Sequence, residues 1–81
     1  MVELILYSRP GCHRCQQMRS VVSSLLKDDV LLREVDVSSD DILNSRYGND
    51  VPVLVCKNQR LAQRRANRQD LEKKITRLRG W

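Results

Sequence analysis

The hydrophobic pattern of this chain changes period once near its start, and the change falls on a pair of cysteines. Val2-Glu3-Leu4-Ile5-Leu6-Tyr7 is a short apolar run cut off by Ser8-Arg9-Pro10-Gly11, which reads as a buried strand ending in a turn. Beyond the turn, Met18, Val21, Val22, Leu25 and Leu26 recur at helical spacing. They form one continuous face of a helix running from Cys12 or His13 to Lys27. Cys12 and Cys15 therefore stand at the joint between a strand and a helix.

A strand leading into a helix constrains the rest of the chain. Val30-Leu31-Leu32-Arg33-Glu34-Val35-Asp36-Val37 lies between Asp28-Asp29 and Ser38-Ser39 and reads as a second strand, parallel to the first through a right-handed crossover. Ser38-Ser39-Asp40-Asp41 offers N-caps for a short helix through Ile42, Leu43 and Tyr47, with Gly48 as its terminator. Val51-Pro52-Val53-Leu54-Val55-Cys56 is a third apolar run, and Pro52 is tolerated because it falls where ladder pairing begins. Lys57-Asn58-Gln59 is a polar turn from which Arg60-Leu61-Ala62 pairs back. From Asn67, an N-cap candidate with Asp70 three residues on, Leu71, Ile75 and Leu78 line a final helix ending at Gly80. The order βαβαββα predicts an α/β sandwich around a four-stranded mixed sheet with three helices.

At 81 residues the expectation is a single domain spanning 1–81, with about 60% of the unfolded surface buried. The first residues lack the features of a secretory signal, and no run approaches the roughly 18 apolar residues of a membrane span. A cytoplasmic protein with no membrane partner is expected. Three cysteines are an odd count, which argues against a disulfide scaffold. The net charge of +5 is unevenly distributed: residues 57 to 81 carry nine Lys/Arg against two Asp/Glu, while residues 1 to 56 carry six against eight. Arg60, Arg64, Arg65, Arg68, Lys73, Lys74, Arg77 and Arg79 form either a solvated face or a docking surface for an acidic protein. Two Tyr, one Trp and no Phe leave little for base stacking, so nucleic acid is not an expected partner.

The chemistry sits in Cys12-His13-Arg14-Cys15. At a helix start, free N–H groups and the helix dipole favour negative charge, and thiol pKa values there fall from about 8.5 to roughly 3.5–7.5. Arg9, His13 and Arg14 add basic character nearby, which makes Cys12 the candidate nucleophile. Cys15, one turn inside, is the candidate resolving thiol of a disulfide exchange. The same spacing is half of a four-ligand metal site, for which Cys56 and His13 are the only further candidates. Cys56 otherwise reads as a buried small hydrophobe, His13 as an exposed tuner of Cys12, and Pro10-Gly11 as turn formers. Val51-Pro52 opens a strand close to the helix start. Its X–Pro bond is open to the cis form, and its backbone is placed to bond an extended peptide or glutathione beside Cys12. Trp81 is either a frayed terminus or a cap on the sheet.

The run from Leu4-Ile5-Leu6-Tyr7 through Ser8-Arg9-Pro10-Gly11 to Cys12-His13-Arg14-Cys15, followed by Tyr47-Gly48 and Val51-Pro52-Val53-Leu54, resembles the glutaredoxin and thioredoxin superfamily, and most closely the short glutaredoxin-like proteins. The resemblance spans nearly the whole chain. It implies a thioredoxin fold with a cis Pro52 facing the cysteines, Cys12 as nucleophile and Cys15 as resolving cysteine. Arg9 matches the family's basic residue three positions earlier, and Val51 matches the residue whose backbone bonds the substrate. A thiol–disulfide oxidoreductase acting on protein disulfides is implied, without a bound cofactor, with glutathione as co-substrate or a reductase as electron donor. Three departures stand out. His13-Arg14 replaces the usual Pro-Tyr or Pro-Phe, and Asp50 precedes Val51 where Thr is usual. Leu61-Ala62-Gln63-Arg64-Arg65-Ala66 replaces the Gly-Gly and Ser/Cys-Asp that hold one end of glutathione.

Overall fold

Backbone pairing centres on β1 (Val2–Ser8), which lies between two neighbours in a computed structural model that describes residues 1–80. On one side runs β2 (Val30–Asp36), parallel, in a register from Val2↔Val30 to Ser8↔Asp36. On the other lies β3 (Val53–Cys56), antiparallel, with Tyr7↔Val53 and Ile5↔Val55, and β4 (Gln59–Gln63) completes the order β2-β1-β3-β4. With α1 (His13–Leu25), α2 (Asp41–Tyr47) and α3 (Arg68–Arg79), the observed order is the βαβαββα expected from the pattern.

Strand alternation assigns the two faces of the sheet. Leu4, Leu6, Leu54 and Cys56 point to one face, where they meet Met18, Val22 and Leu25 of α1 and Leu71 and Ile75 of α3 in one buried cluster. Ile5 and Tyr7 share the opposite face with Val53 and Val55. There Tyr7 stacks on Tyr47 of α2 at a ring separation of 4.0 Å and 11° between planes, and the Arg60 guanidinium lies 5.1 Å above the Tyr47 ring. α2 has no buried residue of its own, and Ile42 is 76% exposed. No helix is long and apolar enough to cross a membrane among the described residues.

Several boundaries differ from the pattern for local reasons. α1 ends at Leu25, not Lys27, because Leu26 is already extended and Lys27–Val30 closes a turn with Val30 N–H donating to Lys27 C=O at 3.0 Å. Val37 leaves β2 for a 3-10 turn over Val37–Ser39, because Asp36 caps that turn by accepting the Ser38 N–H at 2.8 Å. β3 begins at Val53, since Pro52 has no N–H to give to the ladder. The β3–β4 hairpin turns on Lys57 and Asn58, both at positive φ, the backbone of a two-residue primed turn. A bulge in β4 sets Arg60 against Val55 and Ala62 against Leu54, which leaves Leu61 to turn into the core. Asn67 caps α3 by accepting the Asp70 N–H at 2.9 Å, as its spacing predicts. Trp81 lies outside the described residues.

Leu71 is fully buried between α3 and the sheet. Leu71→Ala is expected to cost about 2–5 kcal/mol in urea denaturation, against less than about 0.5 kcal/mol for the exposed Ile42→Ala.

Candidate active site

Cys12 is the N-cap of α1. Its backbone is extended (φ −89°, ψ 109°), and its Sγ accepts a hydrogen bond from the Cys15 N–H at 3.1 Å. Cys12 and Cys15 form a disulfide with 5.2 Å between their Cα atoms. Cys15 is fully buried against the core, while Cys12 is half-buried at the surface, so only one of the two sulfurs faces a partner. The first turn of α1 contains no acidic residue, so nothing on the helix itself offsets the positive end of the dipole at Cys12. Gly11, at φ +72°, makes the turn between β1 and the cap in a conformation that favours glycine.

Arg9 lines the cleft beside Cys12 and also has a structural task. Its guanidinium reaches across to α2, donating from Nη2 to Asn44 Oδ1 at 2.7 Å and to Gly48 C=O at 3.0 Å. It braces the turn before Cys12 against α2. A Cβ at Gly48 would collide first with the backbone C=O and the side chain of Asn44, one turn back, and would also stand 2.7 Å from Arg9 Nη2. His13 and Arg14 are exposed, and His13 Nε2 pairs with Gln17 Nε2 at 3.3 Å.

The Val51–Pro52 bond is cis, and pairing of Tyr7 with Val53 brings it to the end of the sheet where β1 hands over to Cys12. Pro52 is buried and Val51 half-buried. The segment is tied from both sides. Asp50 accepts from Arg60 at 3.0 Å and Arg64 at 2.8 Å, and the Arg64 N–H donates to Pro52 C=O at 2.8 Å. Hydrogen bonding from Arg60, with that from Arg64, holds the Asp50 carboxyl below its ordinary range. Arg64 sits at φ +68°, a strained conformation for a side chain with a Cβ, and these two bonds keep it there.

A third group beside the disulfide is legible only in part from the sequence. Glu34 shares a face of β2 with Val30 and Leu32 but stands at an exposed position, where its carboxylate meets polar partners. It has two: Arg19 of α1 clasps it through two bonds of 2.6 and 2.5 Å, and the buried Ser8 donates to it at 2.8 Å. Arg19, Glu34 and Asp36, with Arg9 and Cys12, line a small cleft of about 200 Å³ beside the disulfide.

The remaining candidates separate. Cys56 is buried at the far end of β3, which runs antiparallel to β1, so it lies at the opposite end of the sheet from Cys12. It cannot join Cys12 and Cys15 around one metal ion, and no group of three or more His, Cys, Asp or Glu side chains is placed to hold one among the described residues. Much of the basic face is committed internally. Arg60 and Arg64 hold Asp50, Arg68 donates to Ser24 Oγ, Lys74 pairs with Asp70, and Arg79 pairs with Asp29.

The Arg19 bonds, reinforced by Ser8, hold the Glu34 carboxyl below its ordinary range. A depressed folded-state pKa contributes stability above the unfolded value of about 4.3 and loses it as pH falls through the folded value. Glu34→Gln is therefore expected to lower stability by about 1 kcal/mol at pH 7. Denaturation measured as a function of pH should show that gap closing below about pH 4. A gap independent of pH would contradict the assignment.

Comparison with known proteins places this geometry. Residues 3–76 match the family model described as Glutaredoxin-like domain. The solved structure of XcR50 from X. campestris superposes with a TM-score of 0.77 at 27% identity, covering 91% of this chain and 96% of that one. Protein Ne2328 from Nitrosomonas europaea gives 0.76 at 24% identity over 90% and 89% of the two chains. A mutant thioredoxin from Halobacterium salinarum gives 0.65 at 26% identity over 94% and 73%. No protein of curated function matches significantly. With a thioredoxin fold, a disulfide at the start of its first helix and a family match over most of its length, the chain belongs to the glutaredoxin-like family of the glutaredoxin/thioredoxin superfamily.

Proposed function

We propose that this protein is a dithiol–disulfide oxidoreductase that reduces protein disulfides in the cytoplasm, with Cys12 as nucleophile and Cys15 as resolving thiol. The observation that carries the reading is the asymmetry of the pair, with Cys12 accessible at the helix cap and Cys15 enclosed behind it. In the reduced protein the Cys12 thiolate attacks one sulfur of the substrate disulfide. A mixed disulfide forms, and the other substrate sulfur leaves as a thiolate that takes up a proton. Cys15 then gives up its proton and attacks Cys12 Sγ. The second substrate thiol is released and the Cys12–Cys15 disulfide forms, so two electrons have passed to the substrate. Two glutathione molecules, or a dithiol reductase, return the pair to its starting state.

The roles of the neighbours derive from their placement. The Cys15 N–H donates to Cys12 Sγ at 3.1 Å, and the positive end of α1, whose first turn carries no acidic residue, acts on the same atom, so both favour the thiolate as attacking and leaving group. Val51 lies at the same end of the sheet, and its N–H and C=O would pair with an extended substrate backbone in the manner of an added strand. Arg9 acts through structure, fixing the turn that presents Cys12. A route through protein disulfides is favoured over glutathione chemistry because Gln63-Arg64-Arg65-Ala66 stands where the family's glutathione-holding residues would be.

Cys12→Ser is expected to abolish reduction of a model protein disulfide. Cys15→Ser is expected to accumulate a mixed disulfide with the substrate through Cys12, read by mass spectrometry of the acid-quenched reaction. Full activity in Cys12→Ser would overturn the proposal.

A further inference from the structure

Two clefts lie by the Cys12–Cys15 motif and differ in charge: Cys12 itself lines one, and His13 and Arg14 line the other. On the β2 side the lining includes the carboxylates of Glu34 and Asp36, with Glu34 neutralised by Arg19. On the α3 side lies a wider open groove of about 720 Å³. Its walls are His13 and Arg14, the two residues between the cysteines, and Arg65 from the segment leading into α3. Val21 and Ala66 form an apolar floor, and Gln17 adds a neutral polar group. No carboxylate lines it.

The two arginines of this groove are set apart from most of the basic face. Arg60, Arg64, Arg68 and Arg79 are each held in a bond of 3.0 Å or less with another side chain. The side chains of Arg14 and Arg65 form no hydrogen bond or ion pair among the described residues, and both are exposed. A guanidinium with no internal partner can receive a carboxylate in a bidentate pair without breaking a bond already made, and it sheds its water more readily than an ammonium. Because His13 and Arg14 stand between the two cysteines in the chain, a carboxylate held in this groove would belong to a molecule engaged at Cys12.

Building on the exchange function proposed above, we infer that the groove between α1 and the start of α3 selects protein disulfides flanked by acidic residues. An Asp or Glu close in sequence to the cysteine under attack pairs with Arg14 and Arg65, while an apolar neighbour rests on Val21 and Ala66. No Phe, Tyr or Trp lines the groove, which disfavours a nucleic-acid strand as its occupant. Docking adds no covalent step. It raises the encounter rate and orients the substrate sulfur toward Cys12.

The test uses the full-length reduced protein and three disulfide-bonded peptides that differ only in flanking residues, Glu-Glu, Gln-Gln or Lys-Lys. At low ionic strength the Glu peptide should be reduced roughly tenfold faster than the Gln peptide, with the advantage shrinking as salt is added. The ratio of the two rates cancels any change in the intrinsic reactivity of Cys12. In Arg65→Glu the advantage of the Glu peptide should vanish, and in the double variant Arg14→Glu/Arg65→Glu the order should invert, with the Lys peptide preferred, an inversion that only folded, active protein can give. Equal rates for all three peptides, or a preference that Arg65→Glu leaves intact, would overturn the inference while leaving the exchange function standing. Absence of reduction for every peptide would overturn both. A fourth substrate, oxidised glutathione, separates the remaining source of carboxylates. If Arg65→Glu slows glutathione exchange and leaves the peptides' order unchanged, the groove belongs to glutathione and the inference fails.

Discussion

The end of β1 is held from both sides, by β2 in parallel and by β3 in antiparallel register, and that double pairing fixes where the chain must turn toward α1. Because β1 is a central strand, neither Ser8 nor the turn after it can move without disturbing two ladders. Gly11 then reverses the chain in one left-handed step, and Cys12 arrives as the helix cap. The chemistry of the pair depends on this placement. A sulfur at the cap accepts the Cys15 N–H and feels the positive end of the helix, whereas a sulfur one turn further in is enclosed by the core.

Around that fixed point the protein uses long polar ties in place of additional apolar packing. Arg9 runs from the turn to Asn44 and Gly48 of α2, and Asp50 gathers Arg60 and Arg64 beside the cis Val51–Pro52 bond. Arg19 and Ser8 close on Glu34 under the same end of the sheet. Each tie joins segments far apart in sequence, and all of them lie on the rim of the site. α2, which brings no buried side chain of its own, is held by Arg9, by the Tyr7–Tyr47 stack and by Arg60 above that stack. A small domain has limited apolar area to bury, and these ties are its other means of fixing the loops around Cys12.

The parts of this arrangement that a sequence can reveal are the local ones. The period switch at Ser8-Arg9-Pro10-Gly11, the caps at Cys12, Asp40 and Asn67, and the short hairpin after Cys56 each arise from residues within a few positions of one another. Other features depend on partners brought together by folding and carry little local signal. Gly48 reads as a helix terminator, and folding adds a second demand on it, since a Cβ there would crowd Asn44 and the Arg9 guanidinium that Asn44 binds. Arg9 reads as a charge near Cys12, and only the fold shows that its guanidinium is also tied to α2. The basic run after Cys56 looks uniform, while the fold commits Arg60, Arg64, Arg68 and Arg79 internally and leaves Arg65 in a groove shared with His13 and Arg14. Glu34 lies between these cases, since alternation along β2 places it on the face of Val30 and Leu32 but does not show which cation covers it.

Everything proposed for the site requires that Cys12 and Cys15 form a reversible two-electron couple, and a redox titration decides whether they do. The protein is equilibrated in glutathione buffers of graded potential, free thiols are trapped by alkylation, and the disulfide is located by peptide mass. Cys12 and Cys15 are expected to lose alkylation together, with a midpoint between about −180 and −270 mV, while Cys56 remains a thiol throughout. If Cys12 and Cys15 stay alkylatable at every potential, or oxidise independently of each other, they are not a redox couple and the proposed exchange cannot occur.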